Sequence, residues 1–162
     1  MYRILGVDPG SNCTGYGLVS GNGDHVAYVS SGTIAPPRKE SRYERLRAIH
    51  SGIAQVIREL EPTHFAIEDV FYSKNPRSTL VLGEARGAAI LAATLAGIPV
   101  FEYSAREVKQ SVTGNGAADK SQVSYMLVKI LGLTETPSRA DESDALAIAM
   151  CHAFKRRDWG GA

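Results

Sequence analysis

The fold is decided by residues 4–17, which read Ile-Leu-Gly-Val-Asp-Pro-Gly-Ser-Asn-Cys-Thr-Gly-Tyr-Gly. An apolar run ends at Asp8, a short turn sequence follows, and a second apolar run starts at Thr14. This pattern predicts two strands, from Arg3 to Asp8 and from Thr14 to Ser20. Asp8 at the end of a buried strand either starts the turn or holds a positively charged group. These residues alone leave both interpretations open.

The residues that follow extend these strands into an antiparallel meander. Asn22-Gly23 is a strong hairpin signal, because both residues tolerate positive φ. It predicts a third strand, from His25 to Ile34, which Pro36-Pro37 ends. Beyond it, the periodicity of apolar residues predicts an amphipathic helix from Ser41 to Leu60, a strand from His64 to Val70, a well-buried helix from Ser78 to Ala96, a strand from Pro99 to Tyr103, and two or three helices, the last from about Asp141 to Arg157.

Strands first, followed by alternating helices and strands, indicate an α/β domain with a mixed central sheet. The 162 residues fit one domain, which we place at residues 1–157, with a flexible tail at 158–162. No apolar run reaches about 18 residues, and the N-terminus lacks the pattern of a signal peptide. Cys13 and Cys151 have neither metal-ligand nor redox spacing. We therefore expect a cytoplasmic protein that does not associate with a membrane.

Several familiar site motifs fail in this sequence. Gly114 to Ser121 resembles a phosphate-binding loop, but the loop needs a glycine before the lysine, and Asp119 precedes Lys120 here. Asp119 is better explained as the N-cap of a helix, since Gln122 lies at the matching offset. The four histidines are scattered and form no His-Glu-x-x-His pattern, which argues against zinc.

Four carboxylates remain as candidates for a site. Asp8 and Glu68 each end a predicted strand, and they converge if those two strands are neighbours. Asp141 and Asp144 share one face of the last helix, because they lie three residues apart. Each acid also has a structural interpretation: Asp8 as turn chemistry, Glu68 as an exposed strand residue, and Asp141 as part of a capping box with Ser138.

Electrostatics decides what such a cluster would need. Two unit charges about 4 Å apart repel by roughly 4 kcal/mol at an effective dielectric near 20, so four ionised carboxylates require compensation. Two Mg²⁺ ions would balance them, and carboxylate oxygens are the ligands that Mg²⁺ prefers. Two such ions are a known arrangement for phosphodiester cleavage. The chain carries 18 Lys plus Arg against 17 Asp plus Glu, or against 13 apart from these four acids. Its basic residues gather in patches, among them those with Arg45 and Arg86. Any single patch is more typical of a solvated helix face, but a basic surround to an acidic metal centre is what a nuclease needs.

Together, seven sequence blocks resemble the RuvC family of bacterial Holliday junction resolvases, and the resemblance covers essentially the whole chain. In combination the blocks are specific, although Asp-x-Gly followed by Thr-Gly is weak alone. The blocks are Leu5 to Gly17, Ala66 to Phe71 with Lys74-Asn75, Leu82 to Gly87, Phe101 to Tyr103, Val108 to Gln110, Gly114 to Ser121, and Asp141 to Ala149.

The resemblance implies an RNase H-like fold and a homodimer that makes symmetric paired nicks in four-way DNA junctions, during recombination and repair. It implies ends with 5′-phosphate and 3′-hydroxyl groups and cooperation with the RuvA–RuvB branch-migration complex. By motif position, Asp8, Glu68, Asp141 and Asp144 are the catalytic carboxylates. They would bind two Mg²⁺ ions per active site, and Mn²⁺ would substitute.

The resemblance also implies DNA contacts. Phe71 matches an aromatic residue that stacks on an unpaired base near the crossover, although a core position is its alternative. Lys109 and Lys120 match lysines placed to contact backbone phosphate, although Lys109 could be an ordinary surface residue. We add three neighbours of Phe71 as candidate DNA-binding residues: Lys74, Asn75 and Arg77.

Two features stay open. The helix from Ser78 to Ala96 is rich in small residues, which allow close packing either in the core or across a dimer. Asp69 adds a carboxylate beside Glu68, and strand alternation predicts that it points away from the site. Two rival functions are an actin-like or Hsp70-like ATPase, which needs a longer chain, and a DNA-binding or assembly module in which the acids only stabilise structure.

Overall fold

The computed structural model describes residues 1–23, 25–69 and 75–156. Its centre is a sheet of five strands in the order β3-β2-β1-β4-β5. The first three strands are antiparallel, and β4 and β5 continue the sheet in parallel with β1. This confirms the predicted mixed sheet, which opens with a meander. The strands are β1 (Tyr2–Asp8), β2 (Thr14–Asn22), β3 (His25–Ile34), β4 (His64–Glu68) and β5 (Val100–Tyr103).

Five helices cover the two faces of this sheet. The helices α1 and α2 pack on one face, against Leu5, Val7 and Ile67. The helices α3, α4 and α5 pack on the other face, against Ile4 and Ala66. Strand alternation sends neighbouring side chains into these two separate cores. The helices are α1 (Arg42–Leu60), α2 (Pro76–Leu95), α3 (Ala105–Thr113), α4 (Lys120–Leu131) and α5 (Ala140–Lys155).

Local sequence signals explain where most of these elements begin and end. Ser41 caps α1 by accepting a hydrogen bond from the Glu44 backbone N–H. A capping box formed by Asp119 and Gln122 starts α4, which confirms the interpretation of Asp119. The hairpin also forms, with Asn22 paired to His25 and Gly23 at a φ of 59°. That φ lies in the left-handed region, which favours glycine.

The prediction that the helix from Ser78 to Ala96 is well buried is wrong. The buried residues of α2 are four alanines, which lie against the core on one face. The opposite face exposes Leu80, Leu91 and Leu95, whose relative exposures are 67%, 51% and 72%. Small residues predict that a helix can pack closely, but they do not say how much of it is covered.

Helix α2 also bears on the expectation about membranes. Among the described residues, it is the one helix that is long and apolar enough to cross a membrane, by length and composition only. It nevertheless carries Arg77, Glu84 and Arg86, and its alanine face packs against the sheet side of the fold. The absence of membrane association stays a prediction.

Several predicted boundaries fall at the edge of what is described. Strand β4 ends at Glu68, two residues earlier than predicted. Helix α5 is described to Lys155, with Arg156 as its C-cap. The predicted tail at 158–162 and the end of the domain at Arg157 lie outside the described residues.

Candidate active site

The first two carboxylates lie at one end of the sheet because β1 and β4 are parallel neighbours. Val7 pairs with Ile67, so Asp8 and Glu68 follow at matching positions. Their neighbours Val7 and Ile67 point into the core beneath α1 and α2. Alternation therefore directs Asp8 and Glu68 to the opposite face, where α5 packs. Strands β1 and β4 are neighbours, which is the condition on which the predicted meeting of Asp8 and Glu68 depended.

Helix α5 brings the other two carboxylates to the same end, and glycines make this close approach possible. A Cβ on Gly15 in β2 would lie 2.1 Å from the backbone oxygen of Asp141. A Cβ on Gly6 in β1 would lie 2.1 Å from the backbone oxygen of Ala145. Only residues without a side chain allow this distance. Asp141 and Asp144, in the first turns of α5, thus lie over the ends of β1 and β2.

The proposed capping box of Ser138 and Asp141 is wrong. Helix α5 begins after Arg139, and within the described residues its start carries no side-chain cap. Ser138 instead donates a hydrogen bond to Glu142 Oε1 at 3.1 Å. Asp141 still lies in the first turn, where a negative charge interacts favourably with the helix dipole. Its carboxylate is not committed to capping.

The acids perturb one another's ionisation. Burial is the largest cause that raises the pKa of Asp8 from 3.8 to about 7, and repulsion by Asp144, Glu68 and Asp141 adds to it. Burial and the charge of Asp144 also raise the pKa of Glu68. Asp8, Glu68, Asp141 and Asp144, which we call the carboxylate cluster, therefore form one interacting group of acids.

Two lysines face the cluster across a cleft of about 190 Å³. Glu68 and Asp144 line this cleft together with Lys109 and Lys120. The Lys120 Nζ lies 2.7 Å from Asp144 Oδ2, and this hydrogen bond raises the pKa of Lys120. Asp8 and Asp141 are not among the residues that line the cleft, but their charges interact with that of Lys120.

The donor set fits hard divalent cations. The cluster supplies carboxylate oxygens, and after burial the main causes that raise the pKa of Asp8 are the neighbouring negative charges, which Lys120 only partly offsets. Among the described residues, no three Asp, Glu, His or Cys groups are already arranged around a single metal position. Lys120 lies against Asp144 instead. If Asp144 binds a metal, it must therefore release the ammonium group of Lys120.

The predicted DNA contacts have different outcomes. Phe71 and Lys74 lie outside the described residues. Asn75 is the N-cap of α2, and its side-chain oxygen accepts hydrogen bonds from the backbone N–H groups of Arg77 and Ser78 at 3.0 and 3.4 Å. Arg77 is exposed in the first turn of α2. Lys109 and Lys120 are the two candidates that the structure places beside the cluster.

Two arginines hold the backbone around the cluster, and sequence reasoning found them only as members of basic patches. Arg45 of α1 donates a hydrogen bond to the Ser11 carbonyl oxygen at 2.5 Å, in the turn after Asp8. Arg86 of α2 donates one from Nε to the Glu68 carbonyl oxygen at 3.1 Å. It also lies 3.9 Å from Asp69, whose exposed carboxylate is thus drawn toward α2. Contacts between residues so distant in sequence leave no local signal.

Comparison with known proteins gives a consistent result. The family described as "Crossover junction endodeoxyribonuclease RuvC" matches residues 4–152. A relative with that name from Pseudoalteromonas translucida is 53% identical over 158 residues, which cover 98% of this chain and 90% of the relative. Another from Marinobacter nauticus is 54% identical over 153 residues, which cover 94% of this chain and 86% of the relative.

Solved structures agree. The structure described as Thermus thermophilus RuvC in complex with Holliday junction substrate superimposes with a TM-score of 0.93 at 34% identity, over 98% of this chain and 97% of that one. A second structure of Thermus thermophilus RuvC gives a TM-score of 0.88 at 34% identity, over 97% of this chain and 96% of that one. The similarity thus extends over whole chains.

Proposed function

Because the chain belongs to the RuvC family of crossover junction endodeoxyribonucleases, we propose that it resolves four-way DNA junctions by cutting phosphodiester bonds at the carboxylate cluster. Its fold is the RNase H-like fold of that family. One observation carries the assignment of the site. Four carboxylates from β1, β4 and α5 converge at one end of the sheet, where burial, with added repulsion among the acids, raises the pKa of Asp8 to about 7. Acids with only a structural role would not be expected to lie so close that they repel one another.

The cluster is proposed to hold divalent metal ions. Asp8, Glu68, Asp141 and Asp144 would be the ligands, with two Mg²⁺ ions per active site and Mn²⁺ as a substitute. Such ions supply activation of water and stabilisation of the leaving oxygen in phosphodiester hydrolysis. The carboxylate oxygens suit these cations, and their binding would relieve the repulsion that disfavours ionised Asp8.

Lys109 and Lys120 are proposed to bind DNA phosphate at the rim of the cleft. Both line the cleft with Glu68 and Asp144. Lys120 is largely exposed, with a relative side-chain exposure of 77%, so its long side chain can leave Asp144 and contact a phosphate oxygen. Phe71 and Lys74 come three and six residues after Glu68 in the sequence, and we propose that Phe71 stacks on an unpaired base. Arg77, exposed beside the Asn75 cap, completes the proposed DNA contacts.

A homodimer is proposed to form through α2. Leu80, Leu91 and Leu95 expose apolar surface, and a Cβ built on Gly83 or Gly87 would meet no described atom within 4 Å. An apolar face with small residues suits close packing against a second copy. A two-fold dimer would match the near two-fold symmetry of an open junction, so that each subunit cuts one strand. Symmetric nicks would follow, and we propose 5′-phosphate and 3′-hydroxyl ends from family membership.

Other parts of the proposal rest on family membership. They are action in the cytoplasm during recombination and repair, and cooperation with the RuvA–RuvB complex. Residues 1–157 are proposed to act as one nuclease domain, in agreement with the family match over residues 4–152.

The test uses a labelled four-way junction and a linear duplex of the same sequence, each with Mg²⁺ or with EDTA. The expected result is a pair of symmetric nicks in the junction alone, which disappears with EDTA and with Asp8→Asn. If the folded wild-type protein binds the junction and leaves it intact at every metal concentration, the chain is a binding module and the acids only stabilise structure.

A further inference from the structure

Arg86 reaches from α2 to the end of β4, outside the carboxylate cluster. Its Nε donates a hydrogen bond to the carbonyl oxygen of Glu68 at 3.1 Å. Its guanidinium also lies 2.7 Å from Glu102 Oε2 of β5 and 3.9 Å from Asp69 Oδ1. The side chain is only 17% exposed. One partly buried guanidinium thus contacts Glu68, Asp69 and the neighbouring strand β5.

These contacts hold one peptide unit at both ends. The carbonyl of Glu68 and the N–H of Asp69 belong to the same planar peptide group. Arg86 binds the carbonyl end, and the Tyr103 carbonyl accepts a hydrogen bond from the N–H end at 2.8 Å. Strand β4 ends at Glu68. The last peptide before the chain leaves the sheet is therefore fixed from two sides.

We propose that Arg86 is a positioning residue, which fixes the direction of the Glu68 carboxylate by immobilising the peptide that follows it. The proposal rests on the proposed function, because Glu68 must be a metal ligand for its direction to matter. Arg86 hydrogen-bonds Glu68 at its backbone carbonyl oxygen and is not itself one of the residues that line the cleft. It acts through the backbone, in the way that outer contacts orient metal ligands in other proteins.

The location of Arg86 gives this role a second consequence. It lies on α2 between Gly83 and Leu91, so its backbone belongs to the helix whose exposed face we assign to the dimer. A shift of α2 would be passed to Glu68 through the guanidinium. The direction of a metal ligand would then depend on how α2 is packed.

The test compares Arg86→Met and Arg86→Lys with the wild-type protein. Met keeps much of the apolar side chain and removes every hydrogen-bond donor, while Lys keeps the charge without the planar fork. Glu84→Gln is the matched control on the same helix, because it weakens the exposed ion pair of Glu84 with Arg42 and leaves β4 untouched. Measurements are the single-turnover cleavage rate of a four-way junction against Mg²⁺ concentration, junction affinity in EDTA, melting temperature, and Mn²⁺ titration of the DNA-free protein.

Arg86→Met should slow single-turnover cleavage by about 10- to 100-fold and raise the Mg²⁺ concentration needed for half the maximal rate. Its junction affinity in EDTA should stay within about 2-fold of wild type, and its Mn²⁺ affinity should fall. Arg86→Lys should recover part of the rate, and Glu84→Gln should behave as wild type.

Wild-type rates and metal dependence in folded Arg86→Met would overturn the proposal. So would a rate loss that follows only the unfolded fraction and vanishes at lower temperature. If Arg86→Met does not fold, the same criteria apply to Arg86→Lys. A wild-type protein that cuts no junction would refute the proposed function instead, and the Mn²⁺ titration would still decide whether Arg86 orients Glu68.

Discussion

Gly15→Ala should displace Asp141 without removing any of the four carboxylates. It therefore tests whether the position of the carboxylates matters for cleavage. A Cβ at position 15 would lie 2.1 Å from the backbone oxygen of Asp141, whereas ordinary contacts begin at 3.4 Å. The obstacle is backbone, so no side chain can rotate away. The start of α5 must therefore withdraw from β2 by about 1.3 Å. Asp141 moves with it, while all four acids remain in the protein.

This displacement has two expected costs. Overpacking of this kind destabilises proteins by about 1–3 kcal/mol, which predicts a melting temperature lower by roughly 2–12 °C for a chain of this size. A misplacement of about 1 Å at a reacting centre costs on the order of 100-fold in rate. We expect Gly15→Ala to cut a junction about 100-fold more slowly than wild type, when both are measured in single-turnover reactions below the melting temperature.

Gly21→Ala is the matched control. It lies on the same strand, and its Cβ would meet the His25 backbone oxygen and the Tyr2 hydroxyl oxygen, each at 2.3 Å. It should lose stability in the same way, but at the far end of β2, so the folded protein should keep its cleavage rate. The reasoning is refuted if Gly15→Ala cleaves at the wild-type rate, or if both variants lose activity equally.

Three further predictions concern Asp8, His152 and Phe71. Burial and neighbouring acids raise the pKa of Asp8 to about 7, so the folded protein binds more protons than the unfolded chain between about pH 4 and 7, and ionised Asp8 costs stability above that range. Asp8→Asn should therefore abolish cleavage, keep or strengthen junction binding, and raise the free energy of unfolding in EDTA at pH 8 by about 2–4 kcal/mol; no gain at pH 8, or an equal gain at pH 4, would contradict this. The pKa of His152 has the opposite effect on stability: burial, with smaller contributions from His64 and Arg156, lowers it from 6.5 to about 4, so stability is complete above about pH 6.5 and falls by about 3 kcal/mol as the pH drops toward 4. Urea unfolding of Asp8→Asn should show about 2 kcal/mol of this loss between pH 7.5 and pH 5, and adding His152→Leu should remove it; an unchanged difference between the two pH values would exclude His152 as the cause. Phe71→Ala should reduce junction cleavage more than binding to linear duplex, by an amount near the 1–3 kcal/mol of one base–aromatic stack, and equal losses in the two assays would exclude a stacking role.

The antiparallel meander of the first three strands could be predicted because each of these strands and the turn between β2 and β3 carries its own local signals. The turn signal at Asn22-Gly23 determined the hairpin, and the apolar runs determined the strands on either side. The meeting of Asp8 and Glu68 depended on one assumption, that the first and fourth strands are neighbours. The register of Val7 with Ile67 satisfies it.

Other features could not be predicted from local patterns. Ser138 and Asp141 have the spacing of a capping box, yet the N-cap of α5 is Arg139, one residue after Ser138. The exposure of Leu80 and Leu91 depends on what covers α2, and its own sequence does not contain that information. Arg86 and Glu68 are joined by a side chain that spans two layers of the fold. The spacing of residues along the chain cannot reveal such a contact.

The two separate cores on either face of the sheet have a consequence for how this protein can change over evolution. Two of the four acids lie on α5 and the other two on the face of the sheet that α5 covers, while the exposed leucines belong to α2, which packs on the opposite face. Substitutions on the exposed face of α2 can therefore accumulate on one side of the sheet without disturbing the carboxylates on the other side. Arg86 is the exception, because it crosses that partition. A lineage that alters the packing of α2 would have to retain Arg86 or fix the direction of the Glu68 carboxylate through other contacts.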